Sequence, residues 1–230
     1  MSSHNPSGRT DWPTPPEVTD PSPPHERRSW GKVSHSDRYR RQRSDLLRAA
    51  VRQAGRKGYE GTRVADIVAE AGLSKSTFYE HFSSKEECFV ELNRRTSSEM
   101  LRTAVDTAEA AIERGPFTCL YEVIRAFVGY PDRNPRLAEA LRVGLTPSQP
   151  VDVQRDEAFR RTIHFFVTLA HRLGSPFTDD ELELTATVLV RGVTDILSDL
   201  RRDRATLDDR LRAVARLGCR AFGLDDSETA

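Results

Sequence analysis

From Ser74 to Lys85 the chain reads S-K-S-T-F-Y-E-H-F-S-S-K. Phe78 and Phe82 are four residues apart and fall on one face of a helix, while Lys75, Ser76 and Tyr79 share the opposite face. An ammonium, a hydroxyl and a phenol make a poor core and a poor metal site. They suit the edges of nucleic-acid bases: lysine donates to guanine acceptors, and the hydroxyls of Ser76 and Thr77 serve either partner. N–H groups left free at the helix start, at Lys75 and Ser76, attract phosphate. Lys85, in the first turn of the next helix, repeats that arrangement. Tyr79 and His81 carry donors for the backbone oxygens of a duplex. A lone histidine more often caps or packs, so both readings of His81 stand at this point.

The elements that must hold these side chains follow from spacing. Leu47, Ala50, Val51 and Ala54 repeat at helical intervals and mark a first helix that ends before Gly58. After a turn over Gly58–Gly61, Thr62 is the expected N-cap of a short second helix with Val64, Ile67, Val68 and Ala71 as its apolar stripe. Gly72 suits the left-handed position that closes it. Leu73 is the apolar residue of the turn, and Ser74 caps the third helix. Two short helices joined by a tight glycine turn form a helix-turn-helix. Ser83 with Glu86, and Ser84 with Glu87, read as capping boxes that open a long fourth helix reaching about Ile112. Further helices are expected over 117–129, 135–144, 155–173, 179–202 and 207–222, with Thr178 and Glu181 as another capping box. No window alternates with period two, so the fold class is all-α.

Composition bounds the partners. The 230 residues carry 35 basic and 35 acidic side chains, 37% hydrophobic and 30% charged residues, values of a globular chain with one or two domains. Charge is uneven: residues 37–90 hold 11 Lys and Arg against 8 Asp and Glu, whereas 91–230 hold 20 against 23. A basic amino-terminal part points weakly to nucleic acid. No apolar run is long enough for a membrane span and no secretory signal stands at the start, so a cytoplasmic location is expected. Cys88, Cys119 and Cys219 lie too far apart for a metal or redox motif. No phosphate-cradling glycine loop or nucleophile–base pairing stands out, so an enzyme is disfavoured and no metal or cofactor is expected. Residues 1–36 hold seven of the 13 prolines and both tryptophans with almost no aliphatic residues, and read as a disordered tail.

These motifs together resemble the amino-terminal domain of TetR-family transcriptional regulators. The resemblance lies in Thr62-Arg63-Val64, Ile67-Val68-Ala69, Ala71-Gly72-Leu73-Ser74, Tyr79-Glu80-His81-Phe82 and Lys85-Glu86-Glu87, and covers about residues 40–100. Leu73, Ser76 and Phe78 depart mildly from the commoner valine, glycine and leucine. By resemblance, residues 63–82 are the DNA-binding helix-turn-helix within a domain over 37–100. Arg63, Ser74, Lys75, Ser76 and Thr77 lie near DNA, with Tyr79, His81 and Lys85 near phosphate. The basic run Arg38, Arg40, Arg41 and Arg43 is expected to precede the first helix, following the DNA backbone or entering the minor groove as an arm.

The same resemblance implies that residues 101–230 form a helical domain for ligand binding and dimerisation. Phe159, Ile163, Phe166, Val167, Ala170 and Leu173 make one stripe, with His164, Phe165 and His171 off it. Tyr121, Phe127, Phe159, His164 and Phe166 are the candidate pocket residues for a small-molecule effector. The last two helices look two-sided. Leu182, Ala186, Leu189, Val193, Ile196 and Leu200 form one stripe, and Leu184 and Val188 start a second. In the final helix Leu207, Leu211, Val214 and Leu217 oppose Ala215, Cys219 and Phe222. A second apolar face calls for a homodimer, with Gly192 and Gly218 permitting close approach. The expected function is a homodimeric repressor released from a near-palindromic double-stranded DNA operator by a small molecule. An activator of the same family, or a helical interaction protein without DNA binding, is the alternative.

Overall fold

The computed structural model describes residues 35–133, 149–202 and 205–227, with backbone alone at 131–133, 149–153 and 194–202. Eight α-helices and no strand occur among them: α1 (His35–Gly61), α2 (Val64–Ala71), α3 (Lys75–His81), α4 (Lys85–Ala111), α5 (Pro116–Arg133), α6 (Gln149–Arg172), α7 (Asp179–Arg202) and α8 (Leu207–Ala221). A 3₁₀ turn, Ile112–Arg114, closes α4. Among the described residues no helix is long and apolar enough to cross a membrane, and no group of His, Cys, Asp and Glu side chains is placed to hold a metal ion. The helix expected over 135–144, and residues 1–34 of the tail expected over 1–36, lie outside the described residues.

The described residues divide into two compact units, one holding 35–100 with 129–133 and 149–158, the other holding Leu101–Val128 and the described residues from Phe159 onward. In the first unit Leu46, Leu47, Ala49, Ala50, Val51 and Ala54 of α1 close on Ile67 and Val68 of α2, Phe78 of α3, Phe82, and Cys88, Phe89 and Leu92 of α4. The core of the second unit joins Leu101, Ala104 and Ala108 of α4 to Phe117, Leu120 and Val123 of α5, with Phe165 and Leu169 of α6, Leu182 and Ala186 of α7, and Leu211, Ala215 and Cys219 of α8.

Several local details differ from expectation, each for a physical reason. α1 already contains His35 and Ser36, and its regular part stops at Gly58, whose φ of 71° and ψ of 171° only glycine adopts without strain. Thr62 does not cap α2. Its hydroxyl donates to the carbonyl of Gly58 at 2.7 Å and its N–H to that of Tyr59 at 3.1 Å, so it seals the turn. Arg63 is the N-cap, and its N–H donates to Asp66 at 3.0 Å. Before α4, Glu87 rather than Glu86 accepts from the N–H and hydroxyl of Ser83, both at 2.6 Å, while the Glu87 N–H donates to Ser84 Oγ. Thr178 donates its N–H and hydroxyl to Glu181 as the start of α7 requires.

Candidate nucleic-acid interface

α3 is set by three local devices. Gly72 takes the left-handed conformation at φ 67°, ψ 32°, and its N–H bonds back to Ala69, so the chain turns sharply out of α2. Ser74 caps α3 by accepting from the Thr77 N–H at 3.0 Å, and its hydroxyl also meets that of Thr77 at 2.9 Å. Phe78 and Phe82 are fully buried, with ring centroids 5.6 Å apart. Burial of side chains of this size is worth about 1.5–3 kcal/mol each. Lys75, Ser76 and Tyr79 are consequently turned out, Tyr79 with 57% of its surface exposed.

α2 is braced against α1 by charge. Glu70 accepts from Arg52 Nε at 2.6 Å, Gln53 Nε2 at 2.9 Å and Arg56 at 3.0 Å. Lys57 donates to Asp66 at 2.8 Å. The hydrogen bond from Arg52 holds the Glu70 carboxyl below the usual range, and that from Lys57 does the same for Asp66. Both carboxylates keep their charge at neutral pH, so the frame behind α3 is fixed by ion pairs on one side and aromatic packing on the other.

Of the ten residues assigned to DNA from the sequence, Lys75, Ser76, Tyr79, Ser74, Arg63 and Arg41 are exposed, and Thr77 is half-buried. The other three make contacts within the protein. His81 is only 5% exposed, its ring 4.1 Å from that of Tyr39, so it packs against α1 instead of reaching phosphate. Arg43, 6% exposed, donates from Nη1 to the His81 carbonyl at 2.7 Å, lies 4.3 Å over the Phe82 ring and has Nη2 3.6 Å from Glu91. Lys85 donates to the Tyr59 carbonyl at 3.0 Å with its ammonium 4.1 Å above the Tyr59 ring. The arm is corrected: Arg38, Arg40, Arg41 and Arg43 lie inside α1, where a helical backbone cannot enter a minor groove as an extended strand. Signals for Arg43 and His81 were present in the spacing. Extending the α1 stripe back one turn reaches Arg43 and a second turn Tyr39, and His81 is three residues after Phe78, on the buried face. The tie of Lys85 to Tyr59 crosses 26 positions and leaves no such signal.

Of the five pocket candidates, Tyr121, Phe127 and Phe166 pack against the core cluster of the second unit. Phe127 and Phe166 come together at 6.0 Å, and both pack on Phe165, which is fully buried although the expected stripe left it out. Tyr121 stacks on Phe117, donates to Asp208 and lies under the Arg212 guanidinium. Phe159 lies under Arg191, at 5.0 Å, and His164 is exposed. Leu184, Val188 and Leu217 are 68%, 63% and 57% exposed within the chain, while Leu182, Ala186, Leu211 and Ala215 face the core. Gly218 is buried with Leu120 Cδ1 3.7 Å from where its Cβ would stand, whereas Gly192 is exposed and its Cβ position meets nothing within 4 Å.

A cored helix-turn-helix with an outward polar face, followed by a helical second unit, defines the class: an all-α helix-turn-helix protein. Residues 46–92 match the family described as bacterial regulatory proteins, tetR family. The chain is similar to that family over this stretch. It is 33% identical over 101 residues to the HTH-type transcriptional repressor AcnR of Corynebacterium diphtheriae, covering 44% of this chain and 47% of that protein. To the HTH-type transcriptional repressor KstR2 of Mycobacterium tuberculosis it is 34% identical over 109 residues, 44% and 54% of the two chains. The chain thus spans about half the length of the curated relatives it matches. Among solved structures, a SmeT–triclosan complex superposes with a TM-score of 0.64 at 18% identity over 82% of this chain and 94% of that one. A Rhodococcus transcriptional regulator gives 0.63 at 21% identity over 80% and 97%. These likenesses carry the same fold over most of the chain.

Proposed function

We propose that this protein is a DNA-binding transcriptional regulator that lays α3 in the major groove. The observation that carries the reading is the outward face of Lys75, Ser76 and Tyr79, held rigid from behind by Phe78 and Phe82. Lys75 donates to guanine acceptors, Ser76 reads either partner, and Tyr79 reaches a phosphate or a base edge. Arg41 and Arg63 supply exposed charge for the DNA backbone, and the cationic share of the affinity is salt-dependent. Selection of bound duplexes from a random DNA pool is the test. Enrichment of a near-palindromic sequence supports the reading, and failure to enrich any duplex removes it.

The finer form of the proposal is a homodimeric repressor. Leu184, Val188 and Leu217 offer apolar surface on α7 and α8 that the chain's own core leaves uncovered, and a two-fold partner would cover it. Two α3 helices would then meet successive major grooves about 34–36 Å apart, or a multiple of that. The relatives named as repressors favour repression over activation. A small-molecule effector would bind the second unit, with Phe127 and Phe166, whose rings lie 6.0 Å apart, among the candidate lining residues. An effector that prefers one conformation shifts DNA affinity by a coupling free energy of typically ~1–3 kcal/mol.

A further inference from the structure

We propose that Arg43 is a positioning residue for the recognition helix, acting on DNA binding without touching DNA. This rests on the DNA-binding reading for its consequence, though not for its geometry. His81 is the last residue of α3, and its carbonyl is among those a helix end leaves without an intrahelical partner. Arg43 Nη1 donates to that carbonyl at 2.7 Å. The guanidinium is sandwiched by position: the Phe82 ring lies 4.3 Å away, and the Glu91 carboxylate of α4 lies 3.6 Å from Nη2. Glu91 is itself fixed by Arg94 at 2.8 Å and Arg95 at 2.6 Å. One turn earlier on α1, Tyr39 places its ring 4.1 Å from His81. Tyr39 and Arg43 therefore grip the same terminal residue of α3 from α1.

A planar fork is required here. One arm meets a carbonyl, another faces a carboxylate, and the flat face lies on an aromatic ring. The point charge of lysine cannot satisfy all three at once. A cation at a helix C-terminus also favours the helix dipole. Nearly full burial excludes Arg43 from phosphate. Its influence on DNA passes through the direction in which α3 presents Lys75, Ser76 and Tyr79.

The test compares wild type, Arg43→Lys and Arg43→Met on a duplex enriched by the wild type and on random duplex, across a salt series, with amide hydrogen exchange measured on each protein without DNA. Arg43→Lys should lose about tenfold on the enriched duplex and much less on the random one, so that the ratio falls. A variant that merely unfolds in part loses equally on both. Arg43→Met should leave the salt slope at the wild-type value, whereas removal of a phosphate contact lowers it by about one. The Phe82 amide, which bonds to the Phe78 carbonyl at 2.9 Å, should lose protection in Arg43→Lys while the Leu46–Val51 amides keep theirs. Wild-type affinity for Arg43→Lys, a lowered slope for Arg43→Met, equal loss on both duplexes, or global loss of protection in Arg43→Lys would each overturn the proposal. If wild type itself retains no duplex, the DNA reading fails, and exchange at Phe82 still decides whether Arg43 positions α3.

Discussion

Lys85, at the start of α4, donates its ammonium to the carbonyl of Tyr59 and covers the Tyr59 ring, whose edge in turn meets Phe89 at 5.0 Å. A cation thus pins the turn after Gly58 to α4. Lys85→Ala removes a charge-assisted hydrogen bond and a cation–π contact, and should destabilise the amino-terminal unit by about 2 kcal/mol. Urea unfolding followed at the amino-terminal unit checks this; an unchanged midpoint would mean the contact contributes nothing in solution.

Acid should loosen the same unit. Burial of Glu91 works against its charge, but the hydrogen bonds from Arg94 and Arg95 outweigh it and hold the carboxyl below its ordinary value of 4.5. A depressed carboxylate contributes stability that is fully present above the unfolded value and is lost as pH falls through the native one. Stability should therefore be level from neutral pH down to about pH 5 and fall below that. In Glu91→Gln the fall should be shallower, and the unit less stable at neutral pH. Urea midpoints at stepped pH read both effects.

The thiols give a packing test. Cys88, Cys119 and Cys219 are all buried. Burial pushes Cys119 up to about 12 and Cys219 up to about 11, and raises Cys88 as well. At pH 8 native protein should resist a thiol reagent at all three sites, and all three should react in denaturant, because the thiolate is the reactive form. Rapid labelling of any one of them in native protein would contradict the packing of its helix.

Assembly is tested at the exposed apolar residues of α7 and α8. Val188→Glu with Leu217→Glu should convert a dimer to a monomer in light scattering, since each buried aliphatic side chain contributes about 1.5–3 kcal/mol and each new carboxylate would be buried unpaired. Neither side chain belongs to the chain's own core, so helicity should be unchanged. A dimer that persists in the double variant would place the interface elsewhere.

Much of this was legible in the sequence, because local rules govern it. Gly72, Ser74 and the Phe78–Phe82 pair act within one or two turns, and the limits of α7 fall at Asp179 and Arg202 as its stripe and its Thr178–Glu181 start require. Errors arose where a residue's partner is remote. Arg43 and Lys85 looked like free charge because their carbonyl partners, His81 and Tyr59, stand 38 and 26 positions away. The bond from Tyr121 to Asp208 likewise left no local signal, because Asp208 lies 87 positions on. Phe165 was misjudged because α6 buries Ile163, Phe165, Leu169 and Ala170 together, a wider face than one stripe describes.

The central claim is that Lys75 and its neighbours read base edges from a braced helix. Binding of wild type and Lys75→Ala to an enriched duplex and to random duplex, over a salt series, tests it most directly. Wild type should prefer the enriched duplex and bind more weakly as salt rises, and Lys75→Ala should forfeit about 1–3 kcal/mol on the enriched duplex with little change on the random one. Equal losses on both duplexes, or no retention of any duplex by wild type at low ionic strength, would contradict it.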